Sequence, residues 1–175
     1  QIGGSQVFLA AGEVFTLEEL MKAVAIHSAN DAAAAVAEYM AGTVEAFVDM
    51  MNHRARQLGM TETVYHSVHG LPPGPTQEGD VTSAWDLAIL ARRLVGYPQL
   101  LHWSGTEEEG FRGGKFILTN SNKLVKRFRG MDGLKTGYHQ TAGFNIVATA
   151  SRQGLRFTTV VLGAPTGQVR FSEAA

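Results

Sequence analysis

Residues 133–163 read GLKTGYHQTAGFNIVATASRQGLRFTTVVLG. Three runs in this stretch, Gly133–Tyr138, Gly143–Ala150 and Leu155–Gly163, are rich in β-branched and aromatic side chains and are parted by polar, glycine-bearing segments, which predicts strands. Ser151-Arg152-Gln153-Gly154 between the last two has the composition of a hairpin turn. With a further strand at Lys115–Thr119, the pattern predicts an antiparallel meander at the end of the chain.

Upstream the apolar period changes from two to between three and four. Thr16-Leu17-Glu18-Glu19 is a capping box, and Leu17, Leu20, Met21, Val24 and Ala25 fall on one face of a helix running to about His27. Ser28-Ala29-Asn30-Asp31 interrupts it with three cap-forming side chains, and an alanine-rich helix begins at Asp31-Ala32 and ends near Ala41-Gly42. Thr43 caps a third helix, Val44–Leu58, with Phe47, Val48, Met51 and Leu58 inward, Asp49, Asn52, Arg54 and Arg56 mostly solvated, and Gly59 as its stop. Residues 61–80 read as a turn-rich loop containing Pro72-Pro73-Gly74-Pro75. Ser83 caps a helix over about Ala84–Val95, stopped by Gly96 and Pro98. Glu107-Glu108-Glu109 reads as a solvated loop, and Gly110–Gly114 suits a hairpin. Helices first and strands last is the order of an α+β fold, and the expectation is a single unit over 1–175, about 13–105 mainly helical and about 106–163 antiparallel sheet.

The bulk numbers narrow the function. The 175 residues carry 15 Lys+Arg against 16 Asp+Glu, a formal net charge of -1, which provides no electrostatic footprint for nucleic acid. There is no cysteine, so disulfides, thiolate zinc sites and cysteine nucleophiles are excluded from the chain. No run approaches the ~18 to 20 apolar residues of a membrane span. The start at Gln1, without an initiator Met or a signal segment, reads as that of a processed or engineered fragment. His66 and His69 are the nearest histidine pair, but no H-E-x-x-H accompanies them, and no metal or other cofactor is expected. The glycines at 110–114 lack the lysine and hydroxyl of a phosphate loop.

Lys135-Thr136-Gly137 is the sharpest motif, placing a lysine at the rim of a sheet; a given tripeptide occurs by chance in roughly 4% of chains this long. Ser28-Ala29-Asn30 is weaker, because capping accounts for it equally well. The two together, S-x-N between helices followed by K-T-G on a late strand, form the pattern of penicillin-binding proteins and serine β-lactamases. Further stretches carry the same resemblance: Val68-His69-Gly70-Leu71, Thr82-Ser83-Ala84, Thr119-Asn120-Ser121-Asn122-Lys123-Leu124, and Ala142-Gly143-Phe144-Asn145. From Gly4 to about Gly163 the chain resembles the low-molecular-weight D-alanyl-D-alanine carboxypeptidases of peptidase family S11.

The resemblance implies a β-lactamase/transpeptidase-like fold and a serine-type carboxypeptidase acting through an acyl-enzyme on peptidoglycan D-Ala-D-Ala stem peptides, with β-lactams as inhibitors, at the outer face of the bacterial cytoplasmic membrane. It implies that Lys135 supplies a positive, polarising donor and that Ser28 passes a proton to the leaving D-alanine. Asn30 would orient the substrate amide and a catalytic lysine, Thr136 would hydrogen-bond the terminal carboxylate, and Gly137 and Tyr138 would line the binding strand, the Tyr138 amide as half of an oxyanion hole. Trp85 stands where arginine is common in the family, and His139 where a small hydroxyl residue is.

The family's S-x-x-K nucleophile motif is absent: Ser5, Ser28, Ser67, Ser83, Ser104, Ser121, Ser151 and Ser172 have no lysine three positions on. In the family it lies upstream of Gln1, so the expectation is a truncated, inactive enzyme lacking the first strands and the nucleophile helix. Leu155–Gly163, with Phe157, Val160, Val161 and Leu162, would then be an apolar sheet edge prone to self-association. The alternative is a non-catalytic peptidoglycan-binding or regulatory module of the same fold. A β-lactamase is disfavoured by the lack of an E-x-x-L-N signature.

Overall fold

The computed structural model describes residues 2–72, 74 and 77–175, so Pro73 and Pro75 of the turn-rich loop lie outside the described residues. Helix α1, Leu17–Lys22, opens with the Thr16/Glu19 capping box and continues as a π-helical turn, Ala23–His27. Helices α2 (Asn30–Ala41), α3 (Val44–Leu58), α4 (Ala84–Leu94) and α5 (Pro98–Ser104) follow, then strands β1 (Glu108–Phe111) and β2 (Phe116–Thr119), helix α6 (Leu124–Arg127), strands β3 (Met131–His139), β4 (Gly143–Arg152) and β5 (Leu155–Ala164), and helix α7 (Gly167–Ala174). Thr43, Ser83 and Thr166 each accept a backbone N–H in the first turn of the helix they precede, and Gly59 ends α3 in the left-handed conformation.

The helices-then-strands order holds, with two sheets in place of one. The strand expected at 115–119 pairs with β1 as a separate hairpin and does not join the meander; its partner comes from the stretch read as loop, where Glu108 faces Thr119 and Phe111 faces Phe116. Phe111 explains the choice, because it packs with Phe15 and Phe116 on the core built by Val7, Ile26, Ala29, Ala32 and Leu118. Glu107 and Glu109 pair with Lys126 and Lys22. The meander proper is β3-β4-β5, all antiparallel, with irregularities at Met131/Gly133 and Phe144/Ile146.

Period-two alternation gives β4 two different faces. Ile146, Ala148 and Ala150 join Phe171 and Ala174 of α7 and Leu124 of α6 in a second core, while Thr149 and its partner Gly133 face α5, where a Cβ on Gly133 would collide with the Ser104 hydroxyl. Helices α5, α6 and α7 were not expected from sequence: two are short, and α7 follows the last strand. At β5, Leu155 and Phe157 are exposed, and among the described residues the strand pairs only with β4.

Two local readings need correction. Neither Ser28, Asn30 nor Asp31 stands at the N-cap of α2, which is Ala29 with no side-chain bond, although Asp31 accepts the first-turn amide of Ala32. Instead the Asp31 carboxylate accepts the Val7 and Leu9 amides and the Asn30 side chain donates to the Gly3 carbonyl, so both residues fasten the extended segment before α1. Asn52 is not solvated: it is half-buried and clamps the backbone of Tyr65 through both its amide nitrogen and its oxygen.

Strand β3 is set in place by a polar knot in the protein interior. Asn122, 1% exposed, donates to Gly133 O and accepts the Leu124 amide, while its own amide donates to Asn120 Oδ1. Asn120 donates in turn to the carbonyls of Ser104 and Thr106, and the Ser104 hydroxyl donates to Asp132 O. Every bond replaces water that cannot enter, so loss of one member strands several partners. The expected outcome is that N122A lowers unfolding stability by about 3 kcal/mol, whereas K126A at the solvent-screened Glu107 pair leaves the urea midpoint nearly unchanged; urea titrations of both variants giving equal losses would refute the ranking.

Candidate active site

The π-helical turn puts Ser28 where a regular helix would not. The Ala23 carbonyl accepts both the Ser28 and the Ala29 amides, which winds Ser28 into the left-handed region at φ 64, ψ 35. A non-glycine residue held there costs of order 1 kcal/mol or more and persists only where its surroundings enforce it. Those surroundings include the Asn30 amide, which donates to Ser5 O, and Gly4, which approaches so closely that a Cβ would sit 2.6 Å from Asn30 Nδ2.

Across from this turn β3 presents Lys135. Its ammonium donates to Ser28 Oγ at 2.7 Å and to Thr136 O at 2.8 Å, joining residues 107 apart in sequence. Among the described residues no carboxylate pairs with it. Burial, and to a lesser degree the nearby Arg170 guanidinium, push the Lys135 pKa down from 10.5 to about 8, even though part of the residue remains accessible to solvent. Thr136 is buried and its hydroxyl lies 2.7 Å from Ser121 Oγ.

These side chains border one cleft of about 1320 Å³, which Asn30, Gly137 and Tyr138 also line. The structure thus brings all six expected residues to one cleft. The Asn30 side-chain nitrogen donates one of its two protons to Gly3 O and bonds neither Ser28 nor Lys135. Tyr138 stacks on Phe144 at 4.2 Å between ring centroids and is exposed. His139, also lining the cleft, accepts the Ala142 amide at Nδ1 and so closes the β3-β4 turn.

Two residues at the cleft escape sequence reasoning. Arg170 of α7 is buried, lies over the Phe144 and Phe171 rings, and donates to Gly137 O and Asn145 O at 3.3 and 3.4 Å. Its Nε has no partner among the described residues, and burial lowers its pKa from the ordinary arginine value. An arginine one step from the apolar positions of a short capped helix was the available signal. Ser121 lies in the Thr119–Leu124 stretch that carries the family resemblance, but no motif spacing marks it as a cleft residue. Among the described residues, no three His, Cys, Asp or Glu side chains gather as a metal site, and no helix is long and apolar enough to cross a membrane.

The same fold recurs in solved structures of penicillin-binding proteins. Penicillin-binding protein 6B of Escherichia coli superposes with a TM-score of 0.89 at 35% identity, over 99% of this chain and 54% of that one. Penicillin-binding protein D2 of Listeria monocytogenes, in its ampicillin-bound form, superposes with a TM-score of 0.88 at 28% identity, over 99% and 70%. The chain belongs to the D-alanyl-D-alanine carboxypeptidase family, peptidase family S11, whose model matches residues 1–166. It is 41% identical over 172 residues to the D-alanyl-D-alanine carboxypeptidase DacF of Bacillus subtilis and 37% identical over 174 residues to DacC of Escherichia coli. It spans 97% and 98% of its own length in these matches but only 43% and 42% of theirs.

A buried, unpaired cation opposes folding. Because the Lys135 pKa is lower in the folded than in the unfolded chain, the folded state binds fewer protons between about pH 8 and 10.5, and stability rises with pH across that window. K135M is therefore expected to be more stable than the parent chain at pH 7 by about 2 kcal/mol, with the gap closing by pH 10.5; urea unfolding at both pH values checks this.

Proposed function

We propose that the 175 residues form one partial catalytic domain supplying the S-x-N and K-T-G walls of a serine-type D-Ala-D-Ala carboxypeptidase that acts on peptidoglycan stem peptides outside the cytoplasm. The observation that carries this reading is the 2.7 Å bond from Lys135 to Ser28 on the rim of a cleft large enough for a peptide. A hydroxyl bonded to an ammonium whose pKa is near 8 sits in a chain along which a proton can move at neutral pH. Ser28 in this role protonates the departing D-alanine nitrogen, and Lys135 holds the Ser28 hydroxyl in place and adds positive potential. Thr136 and Arg170 provide a hydroxyl and a guanidinium for the terminal carboxylate, Asn30 offers its carbonyl oxygen to a substrate amide, and the Gly137 and Tyr138 backbone forms the strand against which the peptide lies.

The acyl-enzyme step needs a serine with its own base, and no Ser-x-x-Lys occurs in the chain. On this reading the nucleophile belongs to a segment outside these residues, β-lactams acylate only a polypeptide that includes it, and the exposed Leu155–Phe157 end of β5 is a pairing edge, open to self-association in the isolated chain. The missing motif also supports a second reading, a peptidoglycan-binding or regulatory module without catalysis.

Two outcomes test the proposal. Fluorescent penicillin leaves the chain unlabelled after denaturing electrophoresis but labels a longer parent polypeptide that carries S-x-x-K; labelling of the chain itself would remove the nucleophile from the outside segment, and an unlabelled parent would favour the binding module. Affinity for N-acetyl-D-Ala-D-Ala, followed by amide shifts of Gly137, falls about tenfold as pH rises from 7 through the Lys135 pKa of about 8 to 9.5. The sign follows from the charge: above that pKa the lysine is neutral and no longer attracts a carboxylate, so a flat profile contradicts its role.

A further inference from the structure

Ser121 makes two connections that local geometry does not require. Its amide donates to Ile26 O, two residues before Ser28, and its hydroxyl meets that of Thr136 at 2.7 Å. On either side Asn120 and Asn122 are anchored in the interior by the knot that also holds Gly133. The serine is therefore a fixed point joining the Ser28 turn to β3, and its side chain borders the cleft.

The hydroxyl pair has a direction. Each hydroxyl owns one proton and two lone pairs, so Thr136 cannot donate to Ser121 and to a bound carboxylate with the same proton. With Thr136 donating to Ser121 Oγ, only lone pairs of the Thr136 hydroxyl face any other neighbour. A carboxylate is an acceptor only. It can be received by Thr136 when the pair runs the other way, with Ser121 donating to Thr136 and Thr136 donating to the anion, an order in which each bond polarises the next. The Thr136 carbonyl accepts from Lys135 and has no proton to give an anion, which leaves the hydroxyl as the group of that side chain able to donate to one.

We propose that Ser121 is a positioning residue for carboxylate recognition: by donating to Thr136 Oγ1 it aims the Thr136 proton at the ligand's terminal carboxylate and sets the preference for a free acid over a neutral end. This deepens the proposed function and rests on it. A role confined to holding the fold would weaken the binding of acids and amides alike, whereas this role acts on their ratio.

The test uses the 15N-labelled chain titrated with N-acetyl-D-Ala-D-Ala and with its C-terminal carboxamide, affinities being read from the Gly137 amide. The expected result is that the parent chain prefers the acid, that S121A loses roughly five- to tenfold of that preference, and that S121T retains it. In a T136V background S121A has no further effect on the ratio, because the residue it acts through is gone. S121C, close in size and a weak donor, carries the same expectation if S121A fails to fold. A parent preference that S121A leaves intact, or an equal loss for both ligands, overturns the assignment of Ser121 while the carboxylate reading of the cleft stands. A parent chain that does not distinguish acid from amide, or binds neither, overturns both.

Discussion

A lysine ammonium taken out of water without a carboxylate beside it is the constraint around which this molecule is arranged. Among the described residues its bonded partners are two neutral oxygens, the Ser28 hydroxyl and the Thr136 carbonyl. Neutral acceptors satisfy its donors without cancelling its charge, so the pKa drops to about 8 and the field of the cation reaches into the cleft. A structural ion pair would have removed both properties. The neighbouring Arg170 guanidinium, also without a carboxylate among the described residues, deepens the positive character of the same wall.

Holding two cations close together requires a rigid frame, and the frame is polar. The Asn120–Asn122–Ser104 knot ties α5, the segment before α6 and the start of β3 into one unit, so the lysine arrives at the cleft from a strand whose register is set from below. The opposite wall is held by a different device. There the π-helical turn and its Ala23 carbonyl wind Ser28 into a left-handed conformation, and Asp31 and Asn30 bind the extended segment over it. Ser121 touches both walls. Strain at Ser28 and repulsion between Lys135 and Arg170 are local costs that the surrounding hydrogen bonds offset, the usual economy of a functional site.

Much of the fold was legible from local chemistry. The Thr16, Thr43 and Ser83 caps, the Gly59 stop and the alternating runs of the meander each depend on neighbours a few residues away, and these elements stand close to where the residues put them. The failures share one cause. Glu108–Phe111 carries too few β-branched side chains to read as a strand, and it is one because Phe111 finds Phe15 and Phe116. The Ser28–Asp31 segment reads as a helix cap and is a clamp, because its hydrogen-bond partners, the Val7 and Leu9 amides and the Gly3 carbonyl, lie more than twenty residues back on a segment that packs over it.

Of the cleft, sequence alone determined the chemical inventory: a hydroxyl at Ser28, an amide at Asn30, a lysine and hydroxyl at Lys135-Thr136, in the order that a known pattern shares, and no Ser-x-x-Lys anywhere. Tertiary structure decided that the two motifs meet at hydrogen-bond distance, that the Asn30 nitrogen donates to Gly3 O, and that Arg170 and Ser121 belong beside them. The division has a physical reason. Capping and strand periodicity are written in contacts across a few residues, whereas the position of an ammonium 107 residues from its partner is the sum of a polar knot, a wound helix turn and a packed sheet, none of which exists until the chain has closed on itself.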